Sequence, residues 1–338
     1  MSRKKPTLII YSSSRADELL FRRSFPYHEV VGIPSPVIDP SCPAVKRAEV
    51  IVIHVASHVG ATQLKYFPRL KHIACRSTGY DMVDIGAAKK RGVIVTNVPS
   101  YGEHTVAEYA MLLAMLVLRR IPATLDAVSQ GDISAQELTG HDLAGKTLGV
   151  LGTGRIGLRV IHIARGFNMR VIAHDVYPDH NKAIELGFEY RVFNDVLGQS
   201  DIVSLHMPGT KQNTHIINAS ALARMKPSAV LINTARGSLV STNALIKALK
   251  SNQLAGAGLD VVEGEQYLDL DEELHMIAEK RTIPADVKNL EILRALPQVI
   301  MTSHNAYNTT EALMRIRETT RDNIRSVIDG TPQNVVSK

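Results

Sequence analysis

Apolar positions along the chain fall into two repeating patterns, each a short β-branched run followed by a stretch whose apolar residues return at helical spacing. The first series runs Leu8-Ile9-Ile10-Tyr11, Val50-Ile51-Val52-Ile53-His54, His72-Ile73-Ala74-Cys75 and Val93-Ile94-Val95-Thr96. The second begins at Thr147-Leu148-Gly149-Val150-Leu151. It continues through Arg170-Val171-Ile172-Ala173-His174, Asp201 to His206, Ala229 to Asn233, Gly256 to Asp260 and Val299-Ile300-Met301. Strands alternating with helices predict right-handed βαβ units and parallel sheets. Between the two series, Glu103 to Arg120 reads as one apolar helix, with Ala107, Ala110, Met111, Ala114, Met115 and Leu118 at helical spacing, ended by Pro122. Val83–Lys90 reads as a helix following a strand, and an amphipathic helix over about 309–329 ends before Gly330. Asp269, Asp271, Glu272 and Glu273 read as a solvated helix start, because their spacing fits no metal-binding loop.

Composition narrows the class. A length of 338 residues suits two domains with substantial cores. The basic excess, 39 Lys and Arg against 33 Asp and Glu, is scattered and has no interleaved aromatic stripe. No nucleic-acid surface is expected, and the mild positive balance suits a small anionic substrate. Cys42 and Cys75 form neither a disulfide framework nor a metal-ligand spacing, so reduced thiols and no metal site are expected. The apolar run Thr7–Tyr11 is short for a secretory signal, and Tyr109–Leu118 is short for a membrane span, which predicts a cytoplasmic chain without a membrane partner.

Candidate chemistry lies at the ends of the predicted strands. Gly152, Gly154 and Gly157 follow an apolar strand and open the helical stretch Leu158–Arg165. Glycines at that turn let the backbone approach a pyrophosphate, whose charge meets the free N–H groups of a helix N-terminus. Asp175 ends the next strand, where a carboxylate accepts hydrogen bonds from the adenosine ribose and repels the extra phosphate of NADP. Arg236 follows another strand and offers a planar fork to a carboxylate. His304 follows the last strand and can exchange a proton near neutral pH, and a carboxylate beside it, Glu265 or the nearby Glu263, favours the imidazolium. The segment Arg76-Ser77-Thr78-Gly79-Tyr80-Asp81 leads from a strand towards the helix at Val83–Lys90. It reads equally as a carboxylate-binding helix N-terminus and as a plain turn capped by Asp81. Tyr101 reads as a substrate contact or as a packing tyrosine.

With these motifs in this order, together with Ser204-Leu205-His206-Met207-Pro208, Leu231 to Gly237, Leu259-Asp260-Val261 and Ser303-His304, the chain resembles the D-isomer-specific 2-hydroxyacid dehydrogenases. It is most similar to their D-lactate dehydrogenase branch, through Tyr101, Tyr307 and the long segment after Glu265. The resemblance implies two doubly wound parallel-sheet α/β domains. A Rossmann-type NAD-binding domain, 103–303, is inserted into a flavodoxin-like substrate domain, 1–102 and 304–338. It implies His304 as general acid/base, Glu265 as its partner and Arg236 as substrate anchor, with Thr78, Gly79, Tyr101 and Tyr307 on the substrate side. It assigns the cofactor to Gly152, Gly154, Arg155, Ile156, Gly157, Asp175, His206, Met207, Pro208, Asn213, Thr234, Ala235, Arg236 and Asp260. The related formate dehydrogenases carry glutamine where this chain has Glu265, which argues for proton-coupled hydride transfer. The expected reaction is reversible hydride transfer between NADH and a 2-keto acid, pyruvate and D-lactate first, in a homodimer. The alternatives are an NAD-sensing co-repressor on the same fold and a glycerate or hydroxypyruvate dehydrogenase, although the 39 positions between Glu265 and His304 exceed those of compact glycerate-type members.

Overall fold

The computed structural model describes residues 5–132, 134, 138–265 and 285–337. The helix start expected at Asp269, Asp271, Glu272 and Glu273 lies outside these residues. The first series forms β1 (Thr7–Tyr11), β2 (Glu29–Ile33), β3 (Ala48–Ile53), β4 (His72–Cys75) and β5 (Ile94–Thr96). Among the described residues these make a five-stranded parallel sheet in the order β2-β1-β3-β4-β5, the doubly wound flavodoxin-like order. β2 escaped the hydrophobic pattern because it is an edge strand with a glycine and one buried residue, Val30.

The second series forms β6 (Thr147–Leu151), β7 (Arg170–His174), β8 (Glu189–Tyr190), β9 (Ile202–Leu205), β10 (Val230–Asn233), β11 (Gly256–Leu259) and β12 (Val299–Met301). Its order among the described residues is β12-β11-β10-β9-β6-β7-β8, all parallel. The order reverses between β6 and β9, and doubly wound sheets hold their ligands beyond the carboxyl ends of the strands at such a reversal. All five residues of β6 are buried. Ala107, Ala110, Leu113 and Ala114 of the helix Glu103–Leu118 share one core cluster with Leu148, Val150 and Ile232. Small side chains let that helix lie close to the sheet: a Cβ added at Gly258 falls 3.0 Å from Cβ of Leu113.

By contact density the chain divides into Met1–Tyr101 with Thr309–Lys338, and Gly102–Asn308. In the first unit the C-terminal helix Thr310–Ile328 places Ile324 in a core with Leu8, Ile10, Phe21, Val50 and Val52. The chain after it pairs with β5, Val336 N–H donating to Val95 O at 2.9 Å.

Three local expectations change. The helix at Glu103 stops at Leu118, and Pro122 begins a second helix, Ile121–Ser129, after Arg120 in the left-handed conformation (φ 50°). Proline suits a first helical turn, where its missing N–H has no partner to lose. The helix expected from Val83 begins at Ile85, and its cap is Asp84, which accepts from Ala87 N–H at 2.8 Å, not Asp81. Thr78 and Gly79 therefore lie in a loop well ahead of the helix. Residues 304–308, expected with the first unit, belong to the second because Asp260 ties them down: His304 N–H donates to Asp260 O at 2.9 Å.

Candidate active site

The three glycines of the turn after β6 serve three different purposes. Gly152 has φ +97°, and a Cβ there falls 2.8 Å from the backbone of His206 and Met207. A Cβ on Gly157 falls 2.0 Å from Gly152 O, so the helix start and the turn are in backbone contact. At Gly154 a Cβ meets nothing within 4 Å. Gly154 is also the cap of the 12-residue helix Arg155–Gly166, which leaves open space before N–H groups that a diphosphate fits. Arg155 and Ile156 form the first turn of this helix, and Arg155 Nη1 lies 3.5 Å from Glu103 Oε1.

Asp175 follows β7. Its Oδ2 accepts from Thr153 N–H at 2.6 Å and Thr153 Oγ1 at 3.0 Å, and its Oδ1 from Tyr177 N–H at 2.9 Å. Burial raises its pKa, but these hydrogen bonds and the nearby His174 outweigh it and hold the carboxyl below its usual range. His206, after β9, is pushed down to about 3 by burial, so its ring is neutral, 2.8 Å from Ser204 Oγ through Nε2. Met207 packs against the core behind it. Asn213 fastens the following loop, donating to Pro208 O at 2.7 Å and accepting from Thr210 N–H at 2.7 Å. Its side chain thus shapes the Pro208 loop.

Asn233 ends β10 and is buried. It accepts from Ala235 N–H at 3.0 Å and donates to Arg236 O at 2.9 Å, which folds Thr234-Ala235-Arg236 into a tight turn. Thr234 Oγ1 is buried with no hydrogen-bond partner among the described residues, a polar group suited to a ligand amide. Arg236 Nη1 donates to Ala235 O at 2.7 Å. Gly237 lets the turn after β11 approach, since a Cβ there falls 2.3 Å from Val262 O.

Beyond β11 and β12 lie the titratable groups. His304 Nδ1 is 3.1 Å from Glu265 Oε1, each side chain about a third exposed (30% and 31%). Glu265 Oε2 accepts from Val262 N–H at 3.2 Å. His304 sits in the left-handed region, φ +50°, where Asp260 holds it. Asp260 Oδ1 accepts from Thr302 Oγ1 at 2.5 Å and Asn305 N–H at 2.8 Å, and Oδ2 from Ala306 N–H at 2.9 Å. Asp260 was expected at the nicotinamide. Both of its oxygens clamp the turn that carries His304, and the residue is 1% exposed. Glu263, the competing carboxylate, turns to His215 Nε2 and accepts from Thr242 N–H at 2.9 Å. Burial raises the Glu263 pKa, and the bonds from Thr242 and His215 more than reverse it. The Tyr307 ring meets His304 edge to face, centroids 6.5 Å apart. Among the described residues no three His, Cys, Asp or Glu form a group able to hold a metal ion.

In the first unit, Thr78 Oγ1 donates to Val98 O at 2.9 Å and Thr78 O accepts from Asn97 Nδ2 at 2.7 Å. Ser77 Oγ donates to Gly79 O at 2.6 Å, so the Thr78-Gly79 loop is braced from both sides. The Tyr101 carbonyl accepts from Arg315 Nε at 2.9 Å.

The NAD-binding domain of the D-isomer specific 2-hydroxyacid dehydrogenases matches residues 110–306. The chain is 38% identical to the D-lactate dehydrogenase of Escherichia coli over 261 residues, 77% of each chain. It is also 38% identical to an aromatic 2-oxoacid reductase of Clostridium sporogenes over 267 residues, 78% of each chain. The solved D-lactate dehydrogenase of Aquifex aeolicus, complexed with NAD and lactic acid, superposes with a TM-score of 0.89 at 32% identity, covering 98% of this chain and 99% of that one. The chain belongs to the D-isomer specific 2-hydroxyacid dehydrogenases. It is an NAD-dependent oxidoreductase acting on the CH–OH group of 2-hydroxy acids.

Several residues that shape this dehydrogenase were not among the sequence candidates. Asn233 carries an Asx-turn signal in the strand-end context and was open to discovery. Asp17 was not, because its partners are remote: Arg76 Nη1 at 3.0 Å and Arg317 Nε at 2.7 Å. Burial raises the Asp17 pKa, but Arg76, Arg317 and Ser14 together bring it down to about 2. Arg76 in turn donates to the carbonyls of Tyr11 and Ser12, so this buried pair fixes the strand end from which the Thr78-Gly79 loop departs.

Proposed function

We propose that this dehydrogenase reduces a small 2-keto acid, pyruvate first, to the D-2-hydroxy acid, with His304 as proton donor. The observation that carries this is the 3.1 Å approach of His304 Nδ1 to Glu265 Oε1 beyond the last two strands. Glu265 holds Nδ1–H, which leaves Nε2–H to donate to the substrate carbonyl oxygen, and the ring is left neutral after transfer. The hydride comes from the reduced nicotinamide when NADH is bound. Arg236 presents its fork to the substrate carboxylate and polarises the carbonyl. Thr234 and Ala235 hold the carboxamide end of the cofactor, the glycine turn its diphosphate, and Asp175 the ribose diol, which selects NAD over NADP. In the first unit, Thr78, Gly79 and Tyr101 are assigned to the substrate, as is Tyr307 in the second.

Pyruvate as first substrate is supported by similarity to the Escherichia coli and Aquifex aeolicus D-lactate dehydrogenases. A homodimer is supported by exposed apolar side chains on the helices Glu103–Leu118 and Ile121–Ser129, namely Leu112 (41%), Leu125 (65%) and Val128 (56%). Free thiols at Cys42 and Cys75 suit a reducing, cytoplasmic setting. Steady-state rates with pyruvate, glyoxylate, hydroxypyruvate and phenylpyruvate, each with NADH and NADPH, test the proposal. Pyruvate with NADH is expected to give the highest kcat/KM and D-lactate as product. L-lactate as product, or turnover of none of the four, would overturn it.

A further inference from the structure

A chain of hydrogen bonds runs from the edge of the second sheet to Asp175. Asp179 N–H donates to Tyr190 Oη at 3.1 Å, Tyr190 Oη lies 2.8 Å from Thr153 Oγ1, and Thr153 Oγ1 lies 3.0 Å from Asp175 Oδ2. The Tyr190 ring is held edge to face against Phe188 (5.0 Å) and His180 (5.6 Å). Thr153 is 9% exposed. Its hydroxyl therefore has two protein neighbours, Asp175 and Tyr190, and little solvent.

A carboxylate offers about four acceptor positions. Three of those on Asp175 are taken, two by the N–H and O–H of Thr153 and one by Tyr177 N–H. A ribose diol brings two donors, so one position has to be vacated. Two of the three resident donors are backbone N–H groups and are fixed. The Thr153 hydroxyl alone among these three can rotate, and Tyr190 Oη is the acceptor within its reach.

We infer that Tyr190 is a positioning residue for cofactor selection: its hydroxyl takes the Thr153 O–H when the ribose diol engages Asp175, freeing the carboxylate for the 2′-hydroxyl. The inference rests on Asp175 being the ribose-binding carboxylate. The exchange keeps Asp175 hydrogen-bonded, and the Tyr190 O–H gives up Thr153 Oγ1 for solvent. Thr153 O–H turns from Asp175 Oδ2 to Tyr190 Oη, the Tyr190 proton turns outward to solvent, and the ribose hydroxyl takes the place of the Thr153 O–H on Asp175. NADP carries a phosphate on the 2′ oxygen and offers no 2′ donor, so the exchange favours NAD.

Titration of NADH and NADPH into the purified protein, followed by nucleotide fluorescence, tests this for wild type, Tyr190→Phe, Thr153→Val, Thr153→Ser and the Tyr190→Phe/Thr153→Val double variant. Tyr190→Phe keeps the ring packing and is expected to weaken NADH about fivefold to tenfold, the worth of one hydrogen bond, with NADPH affinity unchanged. At saturating NADH its kcat matches wild type. Adding Tyr190→Phe to Thr153→Val produces no further loss, because the hydroxyl that needs relocating is gone, and Thr153→Ser behaves as wild type. Equal weakening of NADH and NADPH by Tyr190→Phe, no weakening at all, or an undiminished loss in the Thr153→Val background would overturn it. Asp175→Ala tests the reading beneath separately: an unchanged preference for NADH over NADPH in that variant removes Asp175 as the ribose acceptor, whatever Tyr190→Phe does.

Discussion

Glu263 and Glu265 stand two positions apart on one turn, yet they face different histidines. Glu265 meets His304, whereas Glu263 binds His215 and the first turn of the helix Thr242–Lys250. Removing charge from each is therefore expected to have different effects. Glu265→Gln lowers kcat for keto-acid reduction by about 10- to 100-fold with little change in thermal midpoint. Glu263→Gln lowers the midpoint, by the loss of about 1–2 kcal/mol of hydrogen bonding, and leaves kcat within about twofold. Steady-state kinetics and thermal melts on both variants check this, and the reverse assignment of effects would contradict it. Residue type and strand-end position made His304, Arg236 and Glu265 candidates in the sequence, and the structure brings two of them, His304 and Glu265, together. The hold of Asp260 on the His304 turn was not legible there, because its carboxylate meets Thr302, Asn305 and Ala306, more than 40 positions away. A local pattern records which groups a segment carries. It does not record which distant groups consume them.

At the scale of elements, the glycine turn separates folding from binding. Gly157 is in backbone contact with Gly152, so Gly157→Ala is expected to displace the helix and lower the thermal midpoint sharply. Gly154 has open space and an extended backbone (φ −66°, ψ −172°) that alanine accepts. Gly154→Ala is expected to melt within about 2 °C of wild type while NADH affinity falls at least about tenfold, because the added methyl occupies the approach of the diphosphate. Thermal melts paired with NADH titrations separate the two outcomes, and an unimpaired affinity in Gly154→Ala would count against diphosphate binding at this turn. Strands were the most legible elements, since their β-branched runs are buried on both faces. The misses lie at sheet edges and helix boundaries. β2 and β8 are edge strands with little buried surface, and Pro122 reads as a stop although it opens the next helix.

Across the whole molecule, buried titratable groups tie stability to pH. Burial pushes His72, whose Nε2 lies 2.9 Å from Thr96 Oγ1, down to about 3, as it does His206. Each therefore binds a proton in the unfolded chain near pH 6.5 but not in the folded one. Their contribution to stability is present above about pH 6.5 and is lost as pH falls towards about 3. Asp17, held at about 2 against an unfolded value of 3.8, keeps its contribution down to about pH 4 and loses it as pH falls through about 2. His72→Gln is expected to flatten the loss of unfolding free energy between about pH 6 and pH 4 by about 1.4 kcal/mol per pH unit, one proton. Denaturant titrations of both proteins across that range check it, and parallel slopes would contradict it. The proposed role of His304 as proton donor in keto-acid reduction is tested most directly by comparing His304→Ala with wild type in pyruvate-dependent NADH oxidation. Turnover is expected to fall by about 10²- to 10⁴-fold while NADH titration is unchanged. A variant that reduces pyruvate at the wild-type rate would remove His304 as the proton donor.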